Sequence, residues 1–202
     1  MVEEQIALRA ARPDLDEGLV FARYLNAAAE GFFELWLGRD FSGVVAEAYT
    51  KPGHDLSHEH AAFAVRGGRI IGMALGYTAE QHRASSLDPL REAEGYRAFR
   101  AAIIGAVMFP IMRVIDTLED GDFYLQAIAV DEDLRGAGVG SLLMEWVEDQ
   151  GRASGSGRLC LDVSGTNVGA RRLYERLGMD VVAESKILYM PWVRLLRMAK
   201  AI

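Results

Sequence analysis

The residues with the clearest chemical potential are 130–141, Val-Asp-Glu-Asp-Leu-Arg-Gly-Ala-Gly-Val-Gly-Ser, where three glycines alternate with small side chains and open onto a helical pattern. A helix start carries unpaired amide N–H groups and a partial positive charge, and glycines let a phosphorylated ligand reach that backbone with no Cβ in the way. Arg135, Gly136, Ala137, Gly138, Val139, Gly140 and Ser141 are therefore predicted to form a pyrophosphate cradle. Spacing narrows the ligand. A dinucleotide fingerprint, G-x-G-x-x-G, needs glycine where Ser141 stands, and a nucleoside triphosphate loop, G-x-x-x-x-G-K-[ST], needs a lysine that is absent.

Other polar constellations point to less. His54, His58 and His60, with Asp55 and Glu59, lack a nearby cysteine and the spacing of H-E-x-x-H. They predict loop histidines and no metal site, though the loop precedes a hairpin and is a candidate substrate contact. Cys160 lies in a strand pattern with only Arg158 as a basic neighbour, which predicts a buried structural thiol. No combination of Ser, His and acid supports hydrolysis.

The elements that must position the glycine loop follow from hydrophobic periodicity. Residues 6–10 predict a strand, and Pro13, Asp14 and Asp16 start a helix over 14–30. Phe32, Phe33 and Trp36 mark a short helix over 31–37, followed by a Gly-, Asp- and His-rich loop up to His60. Residues 61–66 and 69–78 predict antiparallel strands turning at Gly67 and Gly68. Over 79–121 a polar stretch gives way to one stripe, Ile103, Ile104, Val107, Met108, Ile111, Met112 and Ile115, which predicts a helical segment. A strand over 123–130 then feeds the glycine loop and a helix with Val139, Leu142, Leu143, Trp146 and Val147 on one face. A strand over 159–163, a helix over 167–177 ended by Gly178, and strands over 181–188 and 193–199 complete an α/β chain. Period-two alternation places Asp122, Tyr124 and Gln126 on one face, opposite Phe123, Leu125 and Ala127.

At these residues the sequence resembles the GNAT family of N-acetyltransferases. The pattern [QR]-x-x-G-x-[GA] is present as Arg135, Gly138 and Gly140, preceded by Ile128-Ala129-Val130 at a strand end. A second pattern, N-x-x-A-x-x-x-Y-x-x-x-G, is present as Asn167, Ala170, Tyr174 and Gly178. The resemblance implies a mixed central sheet flanked by helices, an acetyl-CoA co-substrate and no metal. It also implies transfer to an amine of a small molecule or protein in a ternary complex. Ile128, Ala129 and Val130 would hold the pantetheine arm, residues 135–141 the pyrophosphate, and Asn167 and Ala170 the cofactor arm near the second helix. The chain departs from the compact family pattern over 79–121, read as an insertion between the third and fourth strands, and at Glu132, where many members have proline.

Each step of such a transfer makes a demand. A thiol titrates near 8.5 and a phenol near 10, so a tyrosine beside the sulfur can support the developing thiolate; motif position assigns this to Tyr174. An alkylamine with a pKa near 10.4 needs its proton removed, and Asp122, at the start of the strand leading to the loop, is the candidate base. The backbone N–H of Val130 or Ile128 is the expected oxyanion donor. Alternatives are a coenzyme A sensor without transfer, and a longer acyl group.

Composition sets the bounds. A chain of 202 residues, 50% hydrophobic, is long enough for one core, so residues 1–202 are read as a single domain. A net charge of −7 disfavours nucleic acid and anionic membrane surfaces. One cysteine excludes an internal disulfide framework, and Glu3 and Glu4 stand where a signal peptide needs basic residues, so a cytoplasmic setting is expected. The apolar stretch 101–112, interrupted by Pro110, is too short to span a membrane. Met108 and Met112 on the stripe raise a homodimer interface or an acceptor wall.

Overall fold

The strands over Ala61–Arg66 (β2) and Arg69–Thr78 (β3) fold back on each other at Gly67 and Gly68, as their alternation and turn residues predict. A computed structural model describes this hairpin within residues 5–86, 88–94, 117–187 and 190–202. Ala7–Ala10 (β1) pairs antiparallel with β2, and Asp122–Val130 (β4) pairs antiparallel with β3. Arg158–Ser164 (β5) runs parallel to β4, which requires a crossover; Val139–Ala153 supplies it as a helix. Met190–Ala201 (β7) and Asp180–Ile187 (β6) complete a seven-stranded mixed sheet in the order β1-β2-β3-β4-β5-β7-β6.

Helices cover both faces. On one lie Leu15–Ala28 (α1), Phe32–Leu37 (α2) and Phe41–Tyr49 (α3), closing a core over Phe63, Met73, Leu75 and Ala127. α1 starts where Asp14 accepts a hydrogen bond from the Glu17 N–H (3.0 Å), with Asp16 and Glu17 favourably placed in its first turn. Ala79–Ala84 (α4), started by a Thr78–Gln81 capping box, and Asp88–Glu94 (α5) follow β3. The crossover helix Val139–Ala153 (α6) and Val168–Arg176 (α7) lie on the opposite face, over Phe123, Leu125, Leu159, Leu161 and Met198.

Two expectations change, and a third falls outside the described residues. The loop read over 38–60 contains α3, whose Val44, Val45, Ala48 and Tyr49 are buried at helical spacing; Gly38, Asp40 and Gly43 around it resemble loop chemistry and obscure that period. The stripe over 103–115 lies outside the described residues. β4 does not alternate evenly, because Leu75 faces Ala127 while the next residue, Gly76, faces Leu125. Gln126 is thus the extra residue of a β-bulge, and Ala127 joins the face that carries Tyr124.

α1 and α3 approach backbone to backbone at Gly18, where an added Cβ would stand 2.8 Å from the Ala46 carbonyl oxygen. Gly18→Ala is expected to lower stability by about 1–2 kcal/mol, because crowding outweighs the roughly 1 kcal/mol gain in helix propensity. The check is a lower urea midpoint at unchanged slope.

Candidate active site

The glycine loop ends β4 and opens α6. Gly136 (φ 83°) and Gly138 (φ 87°) adopt the left-handed conformation, which disfavours side chains, and an added Cβ at either would meet nothing within 4 Å. Gly138 is the N-cap of α6 and offers no side-chain acceptor, so the first amides of the helix face outward unsatisfied by a cap. Ala137 donates its N–H back to the Leu134 carbonyl (3.1 Å), and Val139 is buried against the sheet. Arg135 is exposed, with Glu132 3.6 Å from its guanidinium. The predicted loop residues therefore form an open amide concavity with one cation at its rim, which suits a phosphate. A groove of about 550 Å³ runs beside it, lined by Gly138, Ser141, Glu145, Glu148, Leu177 and Lys200. Its two glutamates, of which Glu148 pairs with Lys200, make the groove itself a poor anion site.

The loop is anchored by Asp131. Its buried carboxylate accepts from the Tyr24 hydroxyl (2.7 Å), pairs with Arg69 and lies 3.4 Å from Arg23. Burial raises its pKa, but these donors and cations hold it below the ordinary carboxylate value. β4's end is thereby tied to α1 and to β3.

β4 and β5 pair only between residues 122–125 and 158–161, although β4 continues to Val130. Beyond that point the strands part, and burial falls along β4: the first four residues are buried, whereas Gln126, Ile128, Ala129 and Val130 are partly exposed. Residues 126–130 thus present a strand edge toward a fork that leads to the cradle. An extended, amide-bearing chain can add to such an edge.

α7 begins with Asn167, whose side-chain oxygen accepts from the Ala170 N–H (3.1 Å), so its amide acts as an N-cap. Tyr174, 6% exposed, joins the same apolar cluster as Ile128, Val130, Val139 and Ala170. The structure therefore gathers the two motifs and the strand end in one place. Burial alone pushes the Tyr174 phenol up to about 12.

Asp122 is placed differently from the sequence expectation. It is 2% exposed, and its oxygens accept from Arg158 Nε (2.6 Å) and Nη2 (2.9 Å) and from the Glu119 N–H (2.9 Å). Burial raises its pKa, but the Arg158 and Glu119 hydrogen bonds lower it below the ordinary value overall. A carboxylate enclosed, saturated and weakly basic is unsuited to removing a proton from an amine. Its geometry is that of a clamp between the starts of β4 and β5.

A network unseen in the sequence lies at the fork. Asp162 stands one residue beyond the last β4–β5 rung and accepts from Arg197 Nε (3.1 Å), Arg197 Nη2 (2.6 Å) and the Tyr124 hydroxyl (3.2 Å). Arg197 also donates to Thr117 Oγ1 (2.7 Å). The only sequence signal was a single acid, Asp162, within an otherwise mostly apolar run in β5. The histidine loop is largely stapled to α3: His54 and His58 bond the carbonyls of Ala48 (2.9 Å) and Tyr49 (3.1 Å). His60 meets the Tyr77 ring edge-on, Tyr77 stacks on His82, and His82 Nδ1 lies 2.8 Å from Asp55. Among the described residues, no group of three or more His, Cys, Asp or Glu could hold a metal ion. Cys160 is buried, and desolvation raises its thiol pKa to about 12, the state of an inert thiol. No described helix is long and apolar enough to cross a membrane.

Comparison with known proteins agrees with this geometry. The model of the acetyltransferase (GNAT) family matches residues 30–179. A solved acetyltransferase is 26% identical, covering 97% of this chain and 99% of its own, with a TM-score of 0.69. An N-acetyltransferase from Staphylococcus aureus Mu50 is 14% identical with a TM-score of 0.69, covering 96% of this chain and all of its own (100%). A GNAT-family protein from Desulfovibrio desulfuricans is 18% identical with a TM-score of 0.62, covering 98% and 99%. These last two show the fold. No curated protein matches the chain in sequence.

Asp122→Asn is expected to cost about 1–3 kcal/mol, less than for a fully buried pair because Arg158 is 38% exposed. The lowered pKa means that the pair's contribution is complete above about pH 4 and is lost as pH falls through the folded-state value. Denaturant titrations should therefore show wild type and variant converging in acid. The pH profile of the reaction should be unchanged by the substitution; loss of its acid limb would return Asp122 to the role of base.

Proposed function

The chain belongs to the GNAT family of acetyltransferases, and on that premise we propose that it moves an acetyl group from acetyl-CoA to a primary amine, by direct transfer in a ternary complex. The observation that carries this reading is the coincidence of two openings on one strand: β4 leaves β5 after Leu125, and the amide cradle opens at its end. The open Cβ positions of Gly136 and Gly138 leave space for a bound pyrophosphate. Acetyl-CoA would supply the activated thioester carbonyl. The amides at residues 138–141, with Arg135 at the rim, hold the phosphates, and the edge of residues 126–130 aligns the arm. A backbone N–H at Ile128 or Val130 is the oxyanion donor. The acceptor enters from the other side of the fork, and the net charge of −7 mildly favours a cationic one. A lone cysteine fits a reducing setting, and a cytoplasmic location is part of the proposal.

Magnitudes decide how Tyr174 acts. A phenol near pKa 12 would have to give its proton to a thiolate of pKa near 8.5, uphill by roughly 5 kcal/mol. Tyr174 therefore keeps its proton and stabilises the leaving sulfur by hydrogen bonding, while solvent takes the proton lost from the amine nitrogen and protonates the released thiolate.

Calorimetric titration with acetyl-CoA, with coenzyme A and NAD as comparators, and thiol release with spermidine, benzylamine and lysine amide test the proposal. Saturable coenzyme binding with amine-dependent release is expected. Binding without release would favour a sensor, and absence of binding would reduce the glycine loop to a turn. Tyr174→Phe should lower kcat by roughly 10- to 100-fold, the factor for one hydrogen bond to a charged group, with little change in acetyl-CoA affinity. Because the phenol stays neutral until pH approaches about 12, any alkaline limb below pH 10 should persist in the variant.

A further inference from the structure

Gln126 is the extra residue of the β4 bulge, standing between Leu125, which faces Gly76, and Ala127, which faces Leu75. It is also the first β4 residue past the final rung shared with β5, so one more rung would have set it opposite Asp162. Its side-chain oxygen Oε1 is buried, and no hydrogen-bond donor reaches it among the described residues. A buried carbonyl without a donor lowers stability, so packing alone gives no reason for an amide at this position. The donors described around Asp162 are committed to it and to Thr117: Tyr124 gives its hydroxyl proton to Asp162, and Arg197 bonds Asp162 and Thr117.

Resting on the transfer reading above, we infer that Gln126 Oε1 receives the acceptor's amino N–H at the fork. A neutral carbonyl suits this task. It binds one N–H of a neutral amine and leaves the nitrogen lone pair free for the carbonyl under attack, whereas a carboxylate at the same place would favour the unreactive ammonium. The bulge matters because it sets this one side chain out of the regular alternation, at the level where β4 and β5 separate. Gln126 is thus a substrate-binding residue that positions the acceptor.

The test compares wild type, Gln126→Leu and Gln126→Glu, with the probe being whichever of spermidine, benzylamine and lysine amide wild type turns over fastest. Gln126→Leu removes the orphaned oxygen at similar volume. It should raise Tm by roughly 2–4 °C and raise the KM for the amine about three- to tenfold, leaving the KM for acetyl-CoA unchanged. Gln126→Glu keeps an accepting oxygen, so it should retain amine KM within about threefold while shifting the acid limb of the rate profile to higher pH. An unchanged amine KM in Gln126→Leu would overturn the inference, as would a fall in Tm accompanied by weaker acetyl-CoA binding, the mark of a structural amide. Severe loss of amine KM in Gln126→Glu would show that the amide acts as donor and would equally overturn it. If wild type releases no thiol with any of the three amines, the transfer reading fails and this inference with it; thiol release with unaltered variants would sink the inference alone.

Discussion

A parallel ladder between β4 and β5 that continued past Leu125 and Leu161 would satisfy both backbones and leave no opening between the strands. The ladder stops there, and the rest of the site depends on that interruption. Its origin lies on the opposite edge of β4. The bulge at Gln126 adds one residue against β3, which raises local twist and turns the remaining residues away from the line that β5 follows. Residues 127–130 keep their pairing with β3, so the strand stays ordered while its other edge is open. An open, rigid edge is what an extended amide-bearing ligand requires.

A sheet that splits in this way needs to be held at both ends of the split. Asp122 and Arg158 join the two strands where they still pair, Asp162 and Arg197 tie β5 to β7 at the fork, and Asp131 ties the end of β4 to Tyr24 and Arg69. Each of these carboxylates is nearly enclosed and would be costly without its partner. Their value is geometric, because a charge buried beside an arginine tolerates only a narrow range of strand positions. Each of the three is engaged by at least one arginine, an arrangement that holds the fork in one shape.

Local pattern made much of this legible. The hairpin strands were predicted at 61–66 and 69–78, the same bounds as β2 and β3, because alternation and a two-glycine turn are both short-range signals. The helix after the glycine loop and the Asn167 cap were legible for the same reason. α3 was missed because Gly38, Asp40 and Gly43 are loop formers taken singly, and only the core above Phe63 and Met73 selects the helix. The enclosure of Asp122 was not legible, because its neighbours in sequence, Glu119 and Asp120, are of a type common in solvated turns. Its decisive partner, Arg158, lies 36 residues away.

The sequence by itself determined the order of the seven strands, the glycine loop between β4 and α6, and the family, since each rests on residues within a turn or a strand of one another. Tertiary structure alone decided which polar groups are committed and which are open. Whether Gln126 continues an alternation or breaks it depends on the register of β3, and whether Asp122 or Asp162 meets an arginine depends on strands joined only by long crossovers. Hydrogen-bond satisfaction of a buried group is a property of its three-dimensional neighbours, so spacing along the chain contains no record of it.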